Sequence, residues 1–146
     1  MIKEYTPREK IIEIVNKLFI YTDFQDWKKL QEEVFAEKVE LIMNSLKQQQ
    51  AQELSPAEIC DMWREGFKEL DAIHHQAGNY IVKIETNHAH VLAYAIASHY
   101  KKSATLGTTR EFIGSYDFDL VYTEDGWRIC KFTYHLKYMK GNLDLE

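Results

Sequence analysis

The chain predicts an α+β domain in which a curved, mostly antiparallel sheet wraps around three N-terminal helices, making a cone with an internal pocket. Three observations lead there. Two helix starts of the same type, Thr6-Pro7-Arg8-Glu9 and Ser55-Pro56-Ala57-Glu58, stand in the first half of the chain. The second half is dominated by β-branched and aromatic runs that alternate in polarity, and within it Asp125-Gly126 separates the two longest of them. Helices gathered ahead of strands sort as α+β, and a strongly bent sheet closed by helices encloses a pocket.

Thr6 is a capping residue, Pro7 occupies the first helical position and Glu9 follows three residues after the cap, so the first helix begins there. Ile11, Ile12, Val15, Leu18, Phe19 and Thr22 recur at three and four, leaving Glu9, Glu13 and Lys17 for water. Asp23 ends this helix. Asp26 caps a short second one whose inward positions are Trp27, Leu30 and Val34. Val39, Leu41 and Met43 alternate with polar neighbours as a short strand, and Lys47 to Glu53 has no apolar periodicity, as in a solvated connector. From Ser55 a third helix carries the stripe Ile59, Met62, Trp63, Phe67 and Leu70, with Gly66 marking a close approach or a tolerated cost.

After the helix, His74-His75-Gln76-Ala77-Gly78-Asn79 leads into the strand Tyr80–Ile84. A turn at residues 85–88 then joins it to a strand from Ala89 to Lys101. Val91, Ala93, Ala95, Ala97 and His99 share one face of that strand. Ser103 to Thr109 is a loop. The closing hairpin, Arg110 to Met139, turns on Glu124-Asp125-Gly126. A three-residue loop there pairs Leu120 with Cys130, Phe118 with Phe132 and Tyr116 with Tyr134 on an aromatic face. The other face then pairs Val121 with Ile129 and Asp119 with Lys131.

A chain of 146 residues forms one domain, residues 1–146, able to bury roughly two-thirds of its unfolded surface. The formal charge of -5, with no long basic run, argues against nucleic acid or an anionic membrane as partner. No apolar run reaches spanning length, and the N-terminus has no apolar core of a signal peptide, so the expected compartment is the cytoplasm. Cys60 and Cys130 fall in apolar patterns and read as free thiols. His88 and His90 share a strand face, but a third metal ligand at useful spacing is missing, so no metal site is assigned. Val121, Ile129 and Ile113, alternating with Asp119, Lys131 and His135, leave the outer sheet face half apolar. No helix covers that face, which suits a homodimer.

The layout resembles the nuclear transport factor 2-like superfamily, and within it the SnoaL-like and scytalone dehydratase-like branch. The resemblance runs from about Thr6 to Met139. It rests on the capped first helix, Asp23 before Asp26-Trp27, His75 with Gly78 before a strand, His99 near the end of the next, and the closing Asp125-Gly126-Trp127-Arg128-Ile129. It implies a pocket holding Asp23, His75 and His99. Where the dehydratase carries carbonyl-polarising tyrosines, this chain has Thr22 before Asp23, and Leu41, Ile42 and Met43 after the second helix. Tyr116 or Tyr134 would take that duty.

Within that framework Asp23 is expected to orient His99 and stabilise its imidazolium, while His75 on another wall supplies the opposite proton transfer. Trp63, Tyr116, Phe118, Phe132 and Tyr134 would line the substrate space. The function that follows is a cofactor-free lyase or isomerase acting on a small, largely apolar carbonyl compound. The alternative is a ligand-binding or dimeric interaction domain of the same fold without turnover.

Overall fold

A computed structural model describes residues 3–44 and 51–146. Both capped starts form as expected. Thr6 Oγ1 accepts the Glu9 N–H at 3.2 Å while Glu9 Oε2 accepts the Thr6 N–H at 2.7 Å, and helix α1 runs Pro7–Asp23. Its inner stripe of Ile11, Val15, Leu18 and Phe19 is buried. Gln25, with φ of 54°, turns the chain so that Asp26 caps α2, Trp27–Lys29. A single π-helical turn, Leu30–Val34, passes directly into strand β1, Phe35–Asn44.

The expected polar connector lies largely outside the described residues. Its last members, Gln52 and Glu53, instead belong to β2, Gln52–Leu54, which pairs antiparallel with β1. Helix α3 spans Pro56–Phe67, shorter than expected at its C-terminal end, and buries Ile59 and Cys60, while Met62 turns outward. Four long strands follow: β3, Ala72–Glu85; β4, His88–Tyr100; β5, Thr109–Thr123; and β6, Gly126–Gly141. Strand β3 begins well before Tyr80, taking in the segment expected only to lead up to it. A register shift between Gly78 and Ile81, with Asn79 at φ of 57°, absorbs the irregularity.

The six strands form one unclosed sheet in the order β2-β1-β6-β5-β4-β3. Every neighbouring pair is antiparallel except β1 with β6, which is parallel. The sheet curls its concave face around α1 and α3. The core joins the α1 stripe to Val91 and Ala93 of β4, Phe118 and Leu120 of β5, and Ile129 and Phe132 of β6.

The hairpin register matches the expectation at its centre and departs from it near the turn. Tyr116 pairs with Tyr134, Phe118 with Phe132 and Asp119 with Lys131. Closer to the loop, Leu120 pairs with Ile129 and Val121 with Arg128, across a bulge at Cys130. The loop therefore has two residues, Glu124 and Asp125, with Gly126 at φ of 99° opening β6. One extra residue reverses the faces on that arm. Ile129 enters the core at 0 % exposure instead of the outer face, and Cys130 leaves the aromatic face, its thiol donating to the Asp119 carbonyl at 3.4 Å.

Candidate active site

The C-terminal ends of α1 and α3, together with the sheet, line a cavity of about 290 Å³. Its walls are mostly apolar, with Leu18, Met43, Trp63, Phe67, Phe112 and Phe132 prominent. Gly66 also faces this space, and a Cβ there would meet nothing within 4 Å. The absent side chain leaves room; it does not permit a close helix contact.

Asp23 falls four residues after Phe19, on the stripe of α1 that faces the sheet, and Phe19 packs on the His75 ring at 5.3 Å. Asp23 Oδ1 lies 2.6 Å from His75 Nδ1, and Oδ2 accepts the His75 backbone N–H at 2.9 Å. The carboxylate is thus engaged by His75 through both oxygens, not by His99 as the sequence suggested. A carboxylate only accepts, so Nδ1 carries the hydrogen. In the neutral ring the lone pair then sits on Nε2.

His99 has a different partner. The Arg110 Nε–H donates to His99 Nδ1 at 3.1 Å. A guanidinium only donates, so the ring is neutral with its hydrogen on Nε2. Burial depresses the His99 pKa to about 4, the neighbouring Arg110 charge and His75 push it the same way, and Asp23 opposes them. Phe67 at 5.7 Å and Phe112 at 5.2 Å flank the ring.

The two histidines also share a wall. His75 pairs with Ala97 and His99 with Ile73, which makes them diagonal neighbours on the concave face of β3 and β4. The sequence suggests separate walls because the mixed composition of residues 72–79 hides the start of β3. His74, one residue earlier, is exposed on the other face.

Trp63, Tyr116, Phe132 and Tyr134 line the cavity, whereas Phe118 does not reach it. Phe118 is fully buried beneath Tyr116 and Phe132, with Phe19 edge-on at 6.1 Å. The Tyr134 phenol is buried without a hydrogen-bond partner among the described residues, and burial raises its pKa to about 12. The Tyr116 phenol is pushed up further, chiefly by burial and then by Tyr134 and Asp23. Arg110 was missed. Its signal was present, since it shares the parity of Phe112, Tyr116 and Phe118 along β5 and pairs with His99.

Away from the cavity, His90 on the convex face lies between Asp119 at 2.8 Å and Asp117 at 2.9 Å, and Asp117 also meets His135 at 3.0 Å. Among the described residues no group of three or more His, Cys, Asp or Glu is placed to hold a metal ion, and no helix is long and apolar enough to cross a membrane. Burial raises the pKa of both thiols, that of Cys60 to about 11, which keeps them protonated.

Comparison with solved structures finds the same fold repeatedly. A Kribbella flavida protein, Kfla4162, superposes with a TM-score of 0.88 at 22 % identity, over 95 % of each chain. A Novosphingobium aromaticivorans protein provisionally assigned as a scytalone dehydratase gives 0.76 at 12 % identity, over 90 % of this chain and 84 % of that one. A type 3 hexachlorocyclohexane dehydrochlorinase, LinA, from Novosphingobium barchaimii gives 0.76 at 10 % identity, over 91 % and 88 %. Such identities establish the fold alone. No curated protein matches the chain. The SnoaL-like domain model matches residues 3–133, from before the first cap to well inside β6, and by that match the chain belongs to the SnoaL-like family within the nuclear transport factor 2-like fold.

Proposed function

We propose that the protein is a cofactor-free lyase of the dehydratase type, abstracting a proton beside a carbonyl and releasing water from the adjacent carbon. One observation carries this. Two imidazoles on a single cavity wall are fixed in opposite tautomers, one by a carboxylate that can only accept and the other by a guanidinium that can only donate. His75 presents a lone pair and His99 presents an N–H.

In this reading His75 Nε2 takes the proton from the carbon beside the carbonyl, and Asp23 stabilises the imidazolium that forms. His99 Nε2–H donates to the carbonyl oxygen as enolate charge builds. Its depressed pKa keeps it a neutral donor across ordinary assay conditions. The buried Tyr134 phenol, without a hydrogen-bond partner among the described residues, is a second donor for that oxygen. Collapse of the enolate then breaks the bond to the β-hydroxyl, and the proton held on His75 leaves with it as water. The base is therefore His75, with His99 as the polariser. This exchanges the roles expected from the sequence.

The relatives support the class of chemistry without identifying the compound. Two are described as a dehydratase and a dehydrochlorinase, both names for eliminations. The convex sheet face, with Tyr94, Ile96 and Tyr138 each 45 % or more exposed, supports a homodimer. Two unpaired thiols fit the cytoplasm.

Nitrogen-15 NMR of the histidines tests the tautomers directly. His75 should carry its hydrogen on Nδ1 and His99 on Nε2, with His99 staying neutral down to about pH 5. Solvent-deuterium exchange into the carbon beside the carbonyl of small ketones should accompany this and fall by about a hundredfold or more in His75→Asn. A His99 that titrates as a free imidazole, or exchange indifferent to His75, sinks the mechanism.

A further inference from the structure

Arg110 lines the cavity half-buried, and among the described residues no carboxylate lies within ion-pair distance of it. Its hydrogen-bond partners are both neutral: Nε donates to His99 and Nη1 donates to the Leu143 carbonyl at 2.9 Å. Those bonds use two of the five N–H groups. Asp144 acts on Arg110 only through space, and both Asp23 oxygens are already taken by His75. Burial makes the cation costly to keep, and its remaining donors form a planar fork suited to a carboxylate. Gly141, at φ of 93°, lets the chain beyond β6 close over Arg110, since a Cβ there would lie 2.5 Å from the Thr109 carbonyl. The guanidinium is therefore held in place before any ligand arrives.

The order of groups across the wall adds a second constraint. His75 on β3, His99 on β4 and Arg110 on β5 occupy three adjacent strands of one face, with His99 directly paired to Arg110. The order along that face, a donor fork on Arg110, then an N–H on His99, then a lone pair on His75, is the order in which a 2-oxo acid presents its carboxylate, its carbonyl and the adjacent C–H bond.

The geometry points to a 2-oxo carboxylic acid with an apolar tail as the substrate class: carboxylate on the Arg110 fork, keto oxygen at His99, and the C3–H bond facing His75. This assignment rests on the roles given to the histidines above. Phe67, Phe112, Phe132 and Trp63 receive the tail. A hydroxyl on C4 is then the group lost as water.

Isothermal titration calorimetry with 2-oxo-4-phenylbutanoate and with its neutral methyl ester separates charge from shape. The acid should bind about ten- to a hundredfold more tightly than the ester. Arg110→Gln should abolish that preference, and Arg110→Lys should retain part of it. Equal affinity of acid and ester for the parent protein overturns the assignment without recourse to any variant, as does a preference that survives Arg110→Gln. If the acid is preferred but no deuterium enters its C3 position, the elimination mechanism fails while the anion site stands.

Discussion

His75 and His99 differ in what their neighbours are able to give. Asp23 can accept only and Arg110 can donate only, and those two facts set both tautomers before a substrate arrives. Stability should record the His99 environment. Its pKa is about 4 in the folded protein against the ordinary imidazole value of 6.5, so between those values the unfolded chain binds a proton that the folded chain refuses. Stability present above about pH 6.5 is therefore lost as the pH falls towards 4. His99→Gln should flatten that limb, with urea midpoints at pH 7 and pH 5 lying closer together than in the parent. An unchanged acid loss would assign the effect to another group. The resemblance to scytalone dehydratase-like proteins implied Asp23, His75 and His99 in one pocket; the structure lines the cavity with His75 and His99 and sets Asp23 behind His75. The resemblance did not supply the pairing. Which histidine meets the carboxylate depends on where β3 begins, and the mixed composition of residues 72–79 conceals that start.

At the scale of elements, capping and alternation were legible and bulges were not. Thr6 and Ser55 start their helices as chemistry requires, and Thr6→Ala should cost about 1 kcal/mol in denaturant unfolding. The bulge at Cys130 left no mark in the alternation, because Ile129 and Cys130 are both acceptable on a buried face; the core, not the turn, decided which faced inward. A second irregularity lies between Ile113 and Gly114. A Cβ on Gly114 would stand 2.3 Å from the His135 carbonyl and 2.9 Å from the Tyr134 hydroxyl. Gly114→Ala should therefore cost about 1–3 kcal/mol and displace the phenol. A thermal melt reads the first effect and near-ultraviolet circular dichroism the second. A variant as stable as the parent would mean that the backbone yields there more easily than its hydrogen bonds suggest.

At the scale of the whole molecule, the cone shape followed from helices gathered ahead of strands, and the short β2 was hidden because nothing in Gln52-Glu53-Leu54 alternates strongly enough to announce a strand. The convex face should associate. Lys137 lies over the Tyr94 ring at 4.0 Å, and Ile96 and Tyr138 flank Ile113 in one row across the strands, a pattern that suits burial against a second copy. Sedimentation should give a dimer, and the double substitution Tyr94→Glu with Ile96→Lys should give a monomer that keeps the 2-oxo acid affinity. A monomeric parent would remove that surface from consideration.

The parallel pairing of β1 with β6 has a consequence in time. Strand β1 hydrogen-bonds to β6, joining Phe35 to Ile129 and Leu41 to Phe132 across most of the chain. As the polypeptide leaves the ribosome, α1 can meet β3 through Asp23 and His75, but β1 has only the short β2 beside it until β6 has been made. Phe132 and Tyr134, which finish the cavity wall, arrive at the end. Such distant partners slow closure and leave greasy surface waiting meanwhile. Chains halted before β6 should be clients of chaperones, with no half-built pocket to offer.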